Sequence, residues 1–300
     1  MATSFNTIVD DLKSSIKLAY GSMLSYFLAN LGMLIVLALI IGIAAIPIIA
    51  LVLYVDAAVW EVWAQSAAVF AAANPWAAGG IVVLIGIPIV ALFLTVIGAV
   101  YGMSKDLVAH GETKAERAFS WFRHKFLTFA GAGVLLTIVI LLPPVVVWGS
   151  ISILLNYTIP TALNTFLSVF TFIWLFITVG LCAMVYPAIT YGKGVQEAFK
   201  ESFQLARARF DRVYGLLSAV IVLFGVSYGP MIAYGLYMAG TAMVPPLDAI
   251  LIVLASYTVI VTFLWLLLLL PMTIIAFTKV YAEMTGGQVA TQKPPQIPFV

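Results

Sequence analysis

The chain has 300 residues, 64% of them hydrophobic and 9% charged, with a mean hydropathy of +1.14 and a formal net charge of +2. Soluble domains carry about a quarter charged residues and about half apolar ones, so 14 basic and 12 acidic side chains are too few to keep a water-exposed surface of this size in solution. The composition excludes a cytosolic enzyme, a secreted disulfide scaffold and a disordered chain, and the single cysteine, Cys182, excludes an internal disulfide.

A membrane-crossing helix needs about 20 mostly apolar residues. Six stretches qualify: 23–55, 78–103, 126–155, 161–191, 213–242 and 249–277. None alternates with a period of two, as a membrane β-strand would, so six helical spans are predicted. Each carries proline (Pro47, Pro88, Pro143 with Pro144, Pro187, Pro230 and Pro271). Proline removes a helical hydrogen bond and favours a kink. The glycines Gly225, Gly229, Gly235 and Gly240 of the fifth span are read as close-packing positions.

Ahead of the first span, Phe5, Ile8, Val9, Leu12, Ile16 and Ala19 line one face of a predicted helix and Asp10, Lys13, Ser14 and Lys17 the other. Asp10 and Asp11 interrupt this segment, so it is not read as a cleaved signal. The connection from Asp56 to Trp76 carries Trp60, Trp63 and Trp76 in an alanine-rich helical context. It is expected as a short helix at the outer interface, where indole rings settle at headgroup depth.

Two further basic, aromatic segments precede the third and fifth spans. In the first, Phe119, Trp121 and Phe122 lie among Lys114, Arg117, Arg123 and Lys125; in the second, Phe199 and Phe203 lie near Arg207, Arg209 and Arg212. These aromatics are the candidate interfacial anchors, and the seven cations the candidate contacts for lipid headgroups. Basic side chains near anionic lipid gain about 1 kcal/mol each. Glu112, Glu116, Glu197, Glu201 and Asp211 dilute the field, so a membrane surface is preferred to nucleic acid as the partner.

Every Lys and Arg lies before the first span, between spans two and three, between spans four and five, or after span six. The remaining connections carry only Asp56, Glu61 and Asp248. The positive-inside rule therefore predicts a multi-pass protein of the plasma membrane with both termini cytoplasmic.

A repeat is visible in this order. Phe119-x-x-x-Arg123-x-x-Phe126 overlays Phe203-x-x-x-Arg207-x-x-Phe210. Tyr101, Tyr186 and Tyr281 mark the ends of the even spans, each followed by a glycine (Gly111, Gly192, Gly286) suited to a left-handed helix cap. The expected architecture is an all-α integral membrane protein. Six transmembrane helices and three amphipathic cytoplasmic interfacial helices form three parallel repeats of one interfacial helix and two spans. The units run 1–111, 112–193 and 194–284 in one membrane domain, with 285–300 a Pro/Gln-rich cytoplasmic tail.

These glycine-led amphipathic segments, 111–126 and 192–203, each followed by a long span pair, resemble a broad set of prokaryotic membrane proteins. The set includes the membrane domain fused to some glycerophosphodiester phosphodiesterases, the YciC-like inner-membrane proteins and similar archaeal proteins. The phosphodiesterase catalytic domain has no counterpart here, so its activity is not carried over, and the resemblance implies a six-span bundle of largely unassigned role.

The inner parts of the spans hold no Asp, Glu, Lys, Arg or His, which argues against proton coupling through a buried group. His110 and His124 lie outside the spans, so a membrane haem has no axial ligands. No metalloprotease, aspartyl-protease or phosphate-loop motif occurs. No cofactor or metal is implied, and the protein is not expected to be an enzyme. The expected polar contacts of Asn30, Thr95, Thr137, Asn164, Thr178, Ser227, Thr258 and Thr262 are helix-to-helix hydrogen bonds. The leading expectation is a membrane-embedded structural or accessory subunit that binds lipids, other membrane subunits or a second copy of itself. The alternative is a passive channel or uncoupled transporter for a small or lipid-like solute.

Overall fold

The computed structural model describes residues 5–241, 249–287 and 289. It is helical throughout, with no strand among the described residues. The helices are α1 (Phe5–Gly21), α2 (Met23–Tyr54), α3 (Ala57–Ala73), α4 (Pro75–His110), α5 (Ala115–Leu136), α6 (Leu142–Leu154), α7 (Thr161–Cys182), α8 (Val185–Thr190), α9 (Val195–Ala208), α10 (Phe210–Thr241), α11 (Ala249–Leu264) and α12 (Leu270–Thr285). Six stretches are long and apolar enough to cross a membrane: Met23–Pro47, Pro75–His110, Ala115–Leu154, Thr161–Thr190, Phe210–Tyr237 and Ile252–Thr285. These fit a multi-pass membrane protein. The expected tail falls outside the described residues apart from Thr285, Gly286, Gly287 and Val289, as does Asp248.

The prolines act in three ways. Upstream of Pro143 and of Pro271 the helix widens into a π-turn, over Thr137–Leu141 and Trp265–Leu269 respectively. The wider turn lets Leu142 donate to the Thr137 carbonyl and Leu270 to that of Trp265, so the ladder skips the carbonyl that proline cannot serve. At Pro187 the helix breaks instead, between α7 and α8. Ser202 of α9 fills the break: its hydroxyl donates to the Leu181 carbonyl at 2.6 Å and accepts from the Met184 N–H at 3.1 Å. Pro47, Pro88 and Pro230 lie inside helices that continue without a break.

The chain also bends at three single residues outside the helical region of backbone space: Ser22 (φ −118°, ψ 17°), Lys125 (φ −119°, ψ 15°) and Arg209 (φ −128°, ψ 45°). Each bend separates a basic amphipathic segment from the span that follows it. Gly111, Gly192 and Gly286 have φ of 81°, 99° and 73° and close the preceding helices in the left-handed conformation that glycine adopts without strain.

The packed core lies toward one end, the end that carries the basic residues. There Tyr26, Met33, Met103, Phe129, Tyr186, Ile275 and Tyr281 are buried against one another. Glycines let the helices approach. A Cβ on Gly98 would stand 2.7 Å from the Phe129 ring, and one on Gly133 2.7 Å from the Ala91 carbonyl oxygen. Gly225, Gly229 and Gly235, expected to pack closely, face open space instead. The surroundings of Gly240 are not described.

Toward the opposite end the spans part. Only 11% of the most apolar window of α4 is buried, against 39% in the last span. Leu53, Leu84 and Val226 are more than two-thirds exposed. Most hydroxyls in the spans bond the carbonyl four residues back in their own helix, as Thr95, Thr137, Thr178, Ser227 and Thr258 do. They contribute little between helices, contrary to the expectation. Of the residues expected to do so, Asn30 donates to the Leu266 carbonyl at 3.4 Å and Thr262 shares a 3.0 Å hydrogen bond with Tyr228; elsewhere Tyr26 shares a buried 2.7 Å hydrogen bond with Ser104, and Trp148 donates to Thr171 at 2.9 Å.

Candidate functional site

Polar chemistry collects at the basic end, in three groups. In the first, Asp11 of α1 is buried and receives both Nε and Nη2 of Arg212, at 3.2 and 2.9 Å. Arg212 also pairs with Glu283. Lys279 lies 3.4 Å from Asp11 and donates to Ser14 at 2.6 Å. This network ties α1 to the start of α10 and the end of α12. Ions taken out of water need such multiple partners to offset desolvation.

In the second group, Tyr281 donates to Glu201 at 2.8 Å, and Lys193 pairs with the same carboxylate at 3.3 Å. The third centres on Lys105, which donates to the Thr190 carbonyl at 3.1 Å and so caps the C-terminus of α8. Its ammonium lies 5.2 and 5.1 Å from the ring centroids of Trp121 and Tyr191, within cation–π range.

The expected lipid-contact residues divide accordingly. Lys114, Arg117, Arg123, Arg207 and Arg209 are exposed, and Lys125 is half-buried at its bend. Arg123 and Arg207 form no ion pair among the described residues. Arg212 departs from its expected role, because its guanidinium is held by Asp11 and Glu283.

The expected anchors divide too. Trp121 donates its indole N–H to Asp106 at 3.1 Å and covers Gly102. The Phe119 ring closes over Gly32 of α2 although the residue is partly exposed. Phe122, Phe199 and Phe203 pack on the core, so these rings meet protein. On α3, Trp60 and Trp63 meet edge to face at 5.1 Å; Trp63 is exposed, as is Trp76 at the start of α4.

Sequence reasoning missed Asp11, Lys105 and Glu283 as structural groups. For Asp11 a signal existed. With Ile8, Ser15 and Ala19 it lies on one helical stripe, and all four are buried; an acid on such a stripe needs a cation. Lys105 and Arg212, the partner of Glu283, meet residues far away in the chain, which spacing cannot reveal; only the Lys279–Glu283 pair, four residues apart at 3.7 Å, follows from helical spacing.

The three tyrosines are not equivalent. Tyr186 and Tyr281 stand six and five residues before their capping glycines, and Tyr101 stands ten before its own. Tyr101 stacks on Tyr186 at 5.6 Å, whereas Tyr281 meets Tyr191 at 5.2 Å.

A cavity of about 940 Å³ at this end lies between α1, the first turn of α2 and the loop joining α4 to α5. Another, of about 260 Å³, is lined by Asp106, Arg117, Ser120, Trp121, His124 and Lys125. His110 and His124 each bond a backbone carbonyl four residues back through Nδ1. Among the described residues, no group of three or more His, Cys, Asp or Glu side chains is placed to hold a metal ion. No protein-family model, no curated protein and no solved structure matches this chain.

Proposed function

We propose that this protein is a non-enzymatic accessory or scaffold subunit of the plasma membrane, with its basic end in the cytoplasm. Its closed core would hold open an outer half that takes lipid or the helices of partner subunits. The observation that carries this reading is the uneven packing. The basic end is filled by large buried side chains, whereas the outer parts of α2, α4, α10 and α11 leave their apolar faces uncovered. In a bilayer such faces are covered by lipid or by the helices of another subunit. The filled core also favours a subunit over a passive channel, which needs a continuous polar lining, and the hydroxyls bonded within their own helices supply none.

The parallel repeat belongs to this proposal, and burial in register supports it. Counted from the bends at Ser22, Lys125 and Arg209, the residues seven positions earlier are Ser15, Ala118 and Ser202, all small and fully buried. Those four positions later are Tyr26, Phe129 and Val213, and those seven later Ala29, Ala132 and Leu216, all buried. The same register thus turns inward in each unit. The family resemblance in segments 111–126 and 192–203 suits the same reading of a six-span bundle.

Orientation is tested by cysteine labelling in a Cys182→Ser background. Ser66→Cys, on α3, is expected to react with an impermeant maleimide in intact cells, and Ser120→Cys is not. Reaction of Ser120→Cys alone would reverse the assignment.

The role itself is tested by photocrosslinking in native membranes. A photoreactive residue at Leu84 or Val226 is expected to give protein-sized adducts, and one at buried Ala99 none. Adducts of lipid size alone would leave a lipid scaffold and remove the partner. Solute flux through the purified protein in liposomes would overturn the reading in favour of a channel.

A further inference from the structure

Helix α1 packs across the start of α10. The Ile8 side chain takes the space that a Cβ on Gly215 would need, and Asp11 holds Arg212. One turn further along α10 the two helices border an apolar groove of about 390 Å³. Leu12 and Ile16 of α1 form one wall, and Ala219 and Val222 of α10 the other. Leu269 and Met272, both buried, form the floor. Val226 stands at the far end, where the exposed outer face of α10 begins. Lys13 is the one charged residue in the lining. It is exposed, and a lysine so placed lays its methylene stem on the apolar wall and keeps its ammonium in water.

The chemistry of the lining and the shape of the groove select the occupant. An ordered water needs two to four polar partners, and the apolar walls offer none. Two of the three walls belong to stretches long and apolar enough to cross a membrane, and Val222 at the mouth is exposed, so the groove opens toward lipid. It follows α10 from Ala219 to Val226, about 10 Å at the helical rise, and so runs with a span. A partner helix is about 10–12 Å across, and one turn of it fills about 420 Å³ or more, which the groove does not hold. An extended hydrocarbon chain is no wider than a leucine side chain and fits. Lipid beside an ordinary span touches one helix. A chain in this groove meets three, and its dispersion contacts rise accordingly. The walls are set beforehand, because Asp11, Arg212 and Lys279 tie α1 to α10 and α12.

We infer that this groove binds one acyl chain of a membrane lipid and retains it longer than the lipid around the bundle. The chain is the ligand, and its headgroup emerges at the polar edge of α1 beside Lys13. The site depends neither on a partner subunit nor on which end of the protein faces the cytoplasm, so it goes beyond the scaffold role.

The test places the full chain in bilayers that contain phosphatidylglycerol or phosphatidylcholine with a diazirine in the acyl chain. Crosslinked peptides are then identified by mass spectrometry. Labelling is expected to concentrate on α1, α10 and the segment around Leu269 and Met272, and to exceed that of the exposed faces of α2 and α7. Val222→Trp puts an indole in the mouth and should lower groove labelling about tenfold, equivalent to about 1.4 kcal/mol of overpacking. Ala219→Trp fills the same space from the wall and should act alike. Ile173→Trp adds the same ring on the exposed face of α7 and should leave groove labelling unchanged. The two headgroups should label within about threefold of each other, the scale of one screened surface charge.

Even labelling of all exposed spans would overturn the site, as would groove labelling that survives Val222→Trp. A headgroup preference beyond about tenfold would also overturn it, since the headgroup would then be the group recognised. A photoreactive residue at Val222 that gave only protein-sized adducts would assign the groove to a partner and leave the scaffold role standing. Lipid adducts at Val222 would support the site whatever the adducts at Leu84.

Discussion

Replacing Gly133 by valine is expected to destabilise this protein more than any other single exchange at a helix crossing. Gly133 of α5 lies against the backbone of α4. A Cβ there would stand 2.7 Å from the Ala91 carbonyl oxygen, 3.3 Å from the Ala91 Cα and 3.3 Å from the Leu94 Cβ. Backbone atoms cannot swing aside as a side-chain tip can, so the two helices must separate. Overpacking of this kind costs about 1–3 kcal/mol for modest insertions, and Gly133→Ala should fall in that range. Valine adds two further carbons at the same point and should exceed it. The carbonyls of Ala91 and Gly133 are each already bonded by the threonine four residues on, Thr95 and Thr137. The crossing therefore has little polar slack.

Cys182 provides the readout, since it is the one thiol of the chain and is buried. A thiol-reactive dye in detergent should report unfolding of Gly133→Val several degrees below wild type. Gly225→Val, whose Cβ would meet nothing within 4 Å, should melt like wild type. Equal melting of the two variants would show that the α4–α5 crossing does not limit stability.

The second large effect is expected at Arg212. Its side chain is 17% exposed and that of Asp11 7%. Arg212→Met removes a bidentate partner and leaves Asp11 in a poorly hydrated place with only Lys279. Breaking a buried pair by removing one member costs about 3–5 kcal/mol, because the other charge stays behind uncompensated. Removing both should cost far less. The double variant Asp11→Asn, Arg212→Met is therefore expected to recover most of the lost stability. Since α1 is tied to the bundle through this network, Arg212→Met should also admit protease within Phe5–Gly21. A double variant no more stable than the single one would mean that the pair contributes through its attraction rather than through the penalty of a stranded charge.

The spans could be read from composition alone, since lipid accepts only backbones whose polar groups are satisfied internally. An apolar run of 20 or more residues then has one solution. The bends could be read less well. Nothing in Ser22, Lys125 or Arg209 as residue types announces a break, yet each lies where a polar amphipathic face meets an apolar run. The role of Phe119 could not be read. Helical spacing places it on an apolar face, but only the neighbouring chain decides whether that face meets lipid or Gly32. Arg212 shows the same limit from the other side. Its charge and position match those of Arg209, yet Arg209 is exposed and Arg212 is held by two carboxylates, one from each end of the chain.

What the sequence by itself determined is thus the solvent of each segment. Hydropathy placed six helices in lipid, the basic residues gathered at one end, and the glycines at 111, 192 and 286 closed helices through their permitted left-handed backbone. What only the tertiary structure decided is which helices touch, and where. Lipid is as apolar as leucine, so hydropathy supplies no force that pairs one span with another inside the bilayer. Pairing depends on shape, as where Gly133 meets Ala91, and on the few polar groups that must find one another, as Asp11, Arg212 and Lys279 do. Those groups lie at the basic end, and so does the packed core. The far ends of the spans carry no comparable set of partners, and there the helices stand apart.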